Sequence, residues 1–403
     1  MKIPVQLNFE TEPDEYIGGL PPDGMKQPVK SIRLMYGYIA SRRARLAEIT
    51  GAPVNFNWMW RCDSEFEIKC GSMADLIGQH QDLLVAAREQ GDEIGAHFHP
   101  LRWNETAGEW EFPYADQPWI HAQLLKSLQN FEKLMGFRPE SVRLSDNILL
   151  TEEVLDLMED FGIKRDITIE PHVVGTHMAW KNVPSDDNFH DFPLYPYQPE
   201  RGNFRQPGTQ NRRDIWMLLT TTNYVSKAVK DNEAEIEQAY VALDLAFHPP
   251  TFAEIMNRQL ESLERPYLLI VGNSNISILP QYLAYFEANV DFLINHPLAS
   301  LFQFVNSAGL VEMTSHQATA QAQSSPIYQN WLWQRNLQRK QELEASTQAY
   351  RKLELYARNI EQHLGEKQAY IDSLETSRTA GQIPFARIDR YTSALKARLT
   401  GKR

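Results

Sequence analysis

Short apolar segments of strand length alternate with amphipathic segments of helix length from the first residues to about residue 315. Lys2–Phe9, Pro53–Met59, Asp92–Phe98, Ser141–Leu144, Ile163–Ile169, Ile215–Thr220, Tyr267–Val271 and Leu310–Met313 read as strands. Val29–Ile49, Met73–Gln90, Trp119–Met135, Glu152–Phe161, Ala234–Leu245, Phe252–Leu263, Pro280–Ala288 and Leu298–Asn306 read as helices. Glycines stand where helices should stop, as at Gly51 and Gly136, and Thr151 is placed to cap Glu152–Phe161. Parallel strands need crossovers of this length, so the rhythm predicts β-α-β units. Seven or eight units in this span predict an α/β chain built as a (β/α) barrel, seven-stranded and distorted. An open doubly wound sheet is the alternative, but no G-x-G-x-x-G turn supports it.

The rhythm fails twice. Between about residues 170 and 214, Pro171, Pro184, Pro193, Pro196, Pro199 and Pro207 exclude regular helix and central strand, predicting a loop insertion in the barrel. Residues 326–403 are read as a separate helical tail, leaving 1–325 as the barrel. There Tyr350, Leu353, Ala357, Ile360, Leu364, Lys367, Ile371 and Leu374 alternate spacings of three and four, with Leu343 one heptad earlier. This 343–374 seam predicts either a coiled coil that joins copies of the chain or a hairpin packed on the barrel, with a second helix at Phe385–Leu399.

Charge follows the same division. The net charge is −12, but residues 326–403 carry 14 Lys+Arg against 8 Asp+Glu, leaving −18 on the remainder. An acidic body excludes nucleic acid as the expected partner. No run of about 18 apolar residues predicts a transmembrane segment, and the start lacks the pattern of a signal peptide, so the expected location is cytoplasmic. With only Cys62 and Cys70, neither a disulfide framework nor a four-cysteine zinc site is possible.

Chemistry concentrates at two strand ends. Alternation along Lys2–Phe9 puts Asn8, Glu10 and Glu12 on one face. Two carboxylates leaving a buried strand together need a cation or the open mouth of a barrel. The second end is Glu93-Ile94-Gly95-Ala96-His97-Phe98-His99-Pro100, where His97 and His99, two residues apart, face the same way. A histidine pair with a carboxylate makes a three-ligand metal site with positions left open for water and substrate. Elsewhere, Arg201, Arg205 and Tyr197 in the insertion are candidates to clamp a nucleotide- or lipid-linked sugar, against the plainer reading of a solvated loop.

On these motifs and their order, the chain resembles the NodB-like polysaccharide deacetylases of carbohydrate esterase family four. LNFETEPDE is similar to the family's acidic motif after strand one and DEIGAHFHP to its histidine motif. SVRLSDN is similar to its arginine motif, GIKRDITIEPH to the segment at the next strand, and VEMTSHQA to its last barrel strand. The resemblance implies metal-assisted removal of an acetyl group from a saccharide or its precursor, in surface-glycan synthesis for example. By position it implies Glu12, His97 and His99 as ligands of a divalent ion, expected to be zinc. It implies Glu10 as general base, Arg143 as the group orienting it, Asp166 near the pocket, and His172 as proton donor. The family's aspartates are glutamates here, and its late histidine is replaced after Tyr267–Val271 by Gly272, Asn273 and Ser274. A catalytically inactive, glycan-binding barrel that assembles through its tail is therefore the alternative. A glycosidase pair formed by Glu10 and Glu12 ranks third, since it leaves both histidines idle.

Overall fold

The computed structural model describes residues 2–14, 29–171, 192–193, 195–228, 236–261, 267–277, 280–315 and 324–379. They form two compact units, Met1–Trp331 and Leu332–Arg403. His172, half of the Pro-rich insertion and the Phe385–Leu399 segment lie outside the described residues.

In the first unit, seven parallel strands are hydrogen-bonded in one curled sheet: β10 (Trp216–Met217), β7 (Arg165–Asp166), β6 (Ser141–Leu144), β3 (Glu93–Phe98), β2 (Asn57–Arg61), β1 (Ile3–Glu10) and β13 (Leu268–Asn273). An eighth, β14 (Phe302–Phe304), pairs with the start of β1. The curl is closed by irregular backbone between β13 and β7. Leu218 and Thr220 bond to Asp166 and Ile169, Thr221 bonds to Leu269, and Leu243–Leu245 runs parallel to Val271. The predicted barrel is what forms.

Alternation along each strand sorts side chains into two layers. Phe9 faces outward against Trp58 and Phe286, with ring centroids 4.7 and 6.5 Å away. Inside, Met59 from β2 meets Ile167, Leu218, Leu269 and Val271 from the far side of the sheet, over a floor of Val305 and Leu310. At Gly95 any Cβ would stand 2.3 Å from Ser141 Oγ and under 3 Å from Met59, so the interior excludes a side chain there.

The crossover helices are α1 (Lys30–Thr50), α2 (Ser64–Cys70), α3 (Met73–Gln79), α4 (Gln81–Glu89), α5 (Gln117–Met135), α6 (Glu152–Phe161), α7 (Pro249–Glu261) and α8 (Pro280–Asn295). Gly51 and Gly136 close α1 and α5 in left-handed conformations, at φ 64° and 74°. Thr151 caps α6 through Val154 N–H.

Several expected elements change type. Ala234–Leu245 is not a helix: β12 (Ile236–Ala242) pairs antiparallel with β11 (Thr222–Ala228), so cross-strand pairing overrides helical propensity. Leu298–Asn306, expected to be helical, is a short turn leading into β14. Leu310–Met313, expected as a strand, lies within helix α9 (Ser307–Ser315) and plugs the barrel floor. Met73–Gln90 divides into α3 and α4 at His80, and two small hairpins appear, β4–β5 (Arg102–Asn104 with Glu109–Glu111) and β8–β9 (Pro199–Glu200 with Asn203–Pro207).

Helix α10 (Pro326–Thr379) begins in the first unit, where Tyr328 and Trp331 are buried. In the second unit Leu343, Tyr350, Leu353, Ile360 and Leu364 of the seam are all exposed. Among the described residues no helix is long and apolar enough to cross a membrane.

Candidate metal centre

The C-terminal ends of β1, β2, β3 and β6 deliver charged groups to one end of the barrel, the end where such folds place reactive side chains. Glu10 ends β1 and Glu12 follows it. The Glu12 backbone is fixed from the end of the neighbouring strand β13 by Ser274, whose hydroxyl accepts from Glu12 N–H at 2.8 Å and donates to its carbonyl at 3.2 Å. Ser274 thus stands in the stretch where the late histidine of the resembling family is missing, and it braces a candidate ligand.

His97, at the end of β3, is 1% exposed. Its Nδ1 lies 2.8 Å from the carbonyl of Arg143. A carbonyl only accepts, so Nδ1 carries the proton and the Nε2 lone pair is directed inward. That Nε2 lies 3.1 Å from Glu12 Oε1 and 2.9 Å from His99 Nε2, and His99 Nε2 is 3.2 Å from the same Glu12 oxygen. Glu12, His97 and His99 form the one group of three that can hold a metal among the described residues. Donors about 2.1 Å from a shared ion stand about 3.0 Å apart at octahedral angles and about 3.4 Å apart at tetrahedral ones. The three observed separations fit that range. Three electron-rich atoms this close also require a proton or a cation between them.

Two arginines frame the triad. Arg143 Nε donates to Glu10 Oε1, while its other nitrogens reach Ile167 O (2.7 Å), Thr220 Oγ1 (3.3 Å) and Glu170 Oε1 (2.6 Å). Glu10 Oε2 remains turned toward His97, 3.4 Å from Nε2. On the other side the fully buried Arg61 bonds Glu12 Oε2 at 2.8 Å, both Asp63 oxygens at 2.8 Å, and Glu65, which is also held by Lys69.

Burial alone opposes ionisation of Glu12, but Arg61 and the two imidazoles overcome it and hold the carboxyl well below its usual range. Burial likewise disfavours protonation of His97, yet Glu10 and Glu12 outweigh it and raise its pKa. In His99, burial and Arg61 prevail and lower it. Formal charge points the same way: Glu10, Glu12, Asp63, Glu65 and Glu170 against Arg61, Arg143 and Lys69 leave two negative charges, the complement of one divalent ion.

The barrel thus brings together Glu10, Glu12, His97, His99 and Arg143. It does not bring Asp166, which lies on the opposite side of β7 from the interior residue Ile167. The Asp166 carboxylate accepts from Thr168 Oγ1 at 2.6 Å, and burial raises its pKa to about 7. Nor do the insertion residues reach the centre. Arg201 pairs with Glu159 of α6 at 2.6 Å, Tyr197 is buried with its hydroxyl on Phe204 O, and Arg205 stacks on Phe192. The acidic face of α6 that takes up Arg201 also holds Arg213 through Glu152, Asp156 and Glu159. Arg61, Asp63, Glu65 and Glu170 were missed in the sequence. The available signal was positional, since each follows a strand that faces the same mouth.

Known structures similar to this chain include putative or probable polysaccharide deacetylases, peptidoglycan deacetylases and a CE4 family pseudoenzyme from Bacillus anthracis. A putative glycoside hydrolase/deacetylase from Parabacteroides distasonis shares 12% identity over 78% of this chain and 71% of its own, with a TM-score of 0.47. A probable polysaccharide deacetylase from Pseudomonas aeruginosa shares 13% over 78% and 92%, at 0.42. The peptidoglycan deacetylase PdaC from Bacillus subtilis shares 10% over 80% and 96%, at 0.35. No family model and no curated protein matches the chain. At such identities and scores, fold and site rest on this chain's own strand order and side chains.

Proposed function

We propose that this chain is a metal-dependent hydrolase that removes an acetyl group from a saccharide or saccharide precursor, with Glu12, His97 and His99 holding a divalent ion. The observation that carries this reading is the convergence of three donor atoms within 3.2 Å beside a carboxylate that keeps one oxygen free. A divalent ion bound there would act as a Lewis acid and make bound water acidic. The side chains supply the rest. Arg143 immobilises Glu10 through Oε1, leaving Oε2 to accept a proton from water. His172, which the resemblance implies as proton donor, lies outside the described residues. Among the described residues beside the centre, Glu10 is placed to return the same proton to the departing nitrogen or oxygen.

The test is acetate release from a panel of N- and O-acetylated sugars, with zinc, cobalt or nickel supplied and with chelator. Acetate that appears with metal, disappears with chelator and is lost in Glu10→Gln supports the reading; acetate that persists in Glu10→Gln overturns the assigned base. A second reading, a glycan-binding barrel without turnover, is favoured by Asn273 and Ser274 standing where the resembling family has its histidine. Stoichiometric metal without acetate release across the panel would favour it.

For the tail we propose self-association through the exposed seam residues Leu343, Tyr350, Leu353, Ile360 and Leu364, whereas Ile371 of the same seam is buried. Removing residues 332–403 should lower the solution mass by more than the tail itself; a mass that falls by the tail alone leaves the seam to another role.

A further inference from the structure

Arg61 has no part in the chemistry proposed above, yet it is 1% exposed and has carboxylate oxygens on three sides. Its position is over-determined. The backbone N–H of Arg61 donates to Thr11 Oγ1 at 2.9 Å, and Thr11 Oγ1 donates to Met59 O, tying the loop that carries Glu12 to the end of β2. Asp63, the N-cap of α2, grips the guanidinium with both oxygens. What remains of the fork reaches Glu12 Oε2 at 2.8 Å. The two Glu12 oxygens are thereby divided, Oε2 toward the guanidinium and Oε1 toward both imidazoles. The same residues reach His99. Its backbone N–H lies 3.4 Å from Asp63 Oδ2, and its Nδ1 lies 3.9 Å from Glu65 Oε2.

We propose that Arg61 is a positioning residue that restricts Glu12 to ligation through one oxygen, and so keeps a coordination position open for water or substrate. This rests on the metal-site reading above. The mechanism is geometric: a planar fork locked by Asp63 occupies the second carboxylate oxygen, and without it the carboxylate can swing and offer both. A guanidinium acting only as a charge would do the reverse of helping, because a cation beside a ligand repels a second cation.

The two roles predict opposite signs in the full-length protein. Zinc affinity is measured by competition with a chromogenic chelator, and coordination by the visible spectrum of the cobalt-loaded protein. If Arg61 positions Glu12, Arg61→Gln weakens zinc about 10–100-fold and changes the cobalt spectrum toward higher coordination. Arg61→Lys, which keeps the charge and loses the fork, moves both in the same direction. If Arg61 is only a charge, Arg61→Gln tightens zinc and Arg61→Lys changes nothing; either result overturns the proposal. An unchanged cobalt spectrum in folded Arg61→Lys also overturns it. Should Arg61→Gln fail to fold, Arg61→Lys carries the test alone. Wild type and His97→Ala keep the two failures apart. Wild type without bound metal, or His97→Ala binding as tightly as wild type, sinks the metal site and Arg61's role with it. Tight, His97-dependent binding that is indifferent to Arg61 sinks only the latter.

Discussion

The barrel holds a buried polar cluster at each end, and the two are built to opposite purposes. At the N-terminal end Arg165 donates to Ser307 Oγ at 2.6 Å, to Glu93 at 3.2 Å and to Glu140 at 2.7 Å, while Ser307 bonds Glu93 and takes Asn57 Oδ1 on its N–H. Donors and acceptors there are matched, and the cluster seats α9 as a floor. At the C-terminal end the arginines are equally well satisfied, but His97 Nε2, His99 Nε2 and Glu12 Oε1 crowd toward one point and need a proton or a cation between them. Buried charge alone therefore does not mark a site in this fold. What marks it is the convergence of three atoms that can each ligate a metal.

That contrast can be broken by experiment. The largest effect is expected from ligand removal. His97→Ala and Glu12→Ala should each weaken zinc binding by more than about 100-fold, since changes one shell further out already cost 10–100-fold. Metal analysis of the purified variants checks this, and stoichiometric metal in either ends the assignment. The mirror experiment is Arg165→Met. It should leave metal content intact while costing about 3–5 kcal/mol of stability by urea unfolding, because Glu93 is then buried without its partner.

Acid separates metal binding from stability at the C-terminal end. Glu12 and Glu65 have folded pKa values held below 4.5, so the stability they contribute is present above that pH and is lost as pH falls. Metal should leave earlier. His97 has a pKa raised above 6.5, so protons compete for its Nε2 from above that pH downward. Zinc release that begins only below pH 5 would contradict this order.

The smallest effect is at Asp166. Its folded value of about 7 exceeds the unfolded 3.8, so its ionisation costs stability progressively as pH rises between them. Asp166→Asn should therefore raise Tm at pH 8 by a few degrees and leave it unchanged near pH 4, with metal affinity unaltered. Loss of metal or of acetate release in that variant would return Asp166 to the site.

Much of the mouth was legible because strand alternation is a strict rule. Glu10 with Glu12, and His97 with His99, are each two apart at a strand end, and the barrel does face them together. Arg143 came from its motif, and the structure gives it the expected carboxylate. Arg61 stayed hidden because it lies two residues beyond the strand expected at Pro53–Met59, and its partner Glu12 is 49 residues away. The insertion was harder to read for the complementary reason. A basic, tyrosine-containing loop looks like a ligand clamp, whereas the structure gives Arg201 to the acidic face of α6, Tyr197 to Phe204 O and Arg205 to the Phe192 ring. The exchange of helix and strand between residues 298 and 313 was likewise undecidable from short apolar runs, whose type is set by what they pack upon.

Arg143 takes part in the centre twice, by its side chain on Glu10 and by its carbonyl on His97. The two contributions are separable in only one direction. Any substitution at residue 143 releases the Glu10 carboxylate but leaves the peptide carbonyl, and with it the tautomer of His97, in place. No single side-chain exchange at that position does the converse. Strand β6 therefore acts as a common ruler against which both Glu10 and His97 are measured. A slip in its register would displace them together, whereas ordinary mutation can uncouple proton transfer while leaving metal capture intact. A metal-loaded, chemically silent descendant is thus one substitution away.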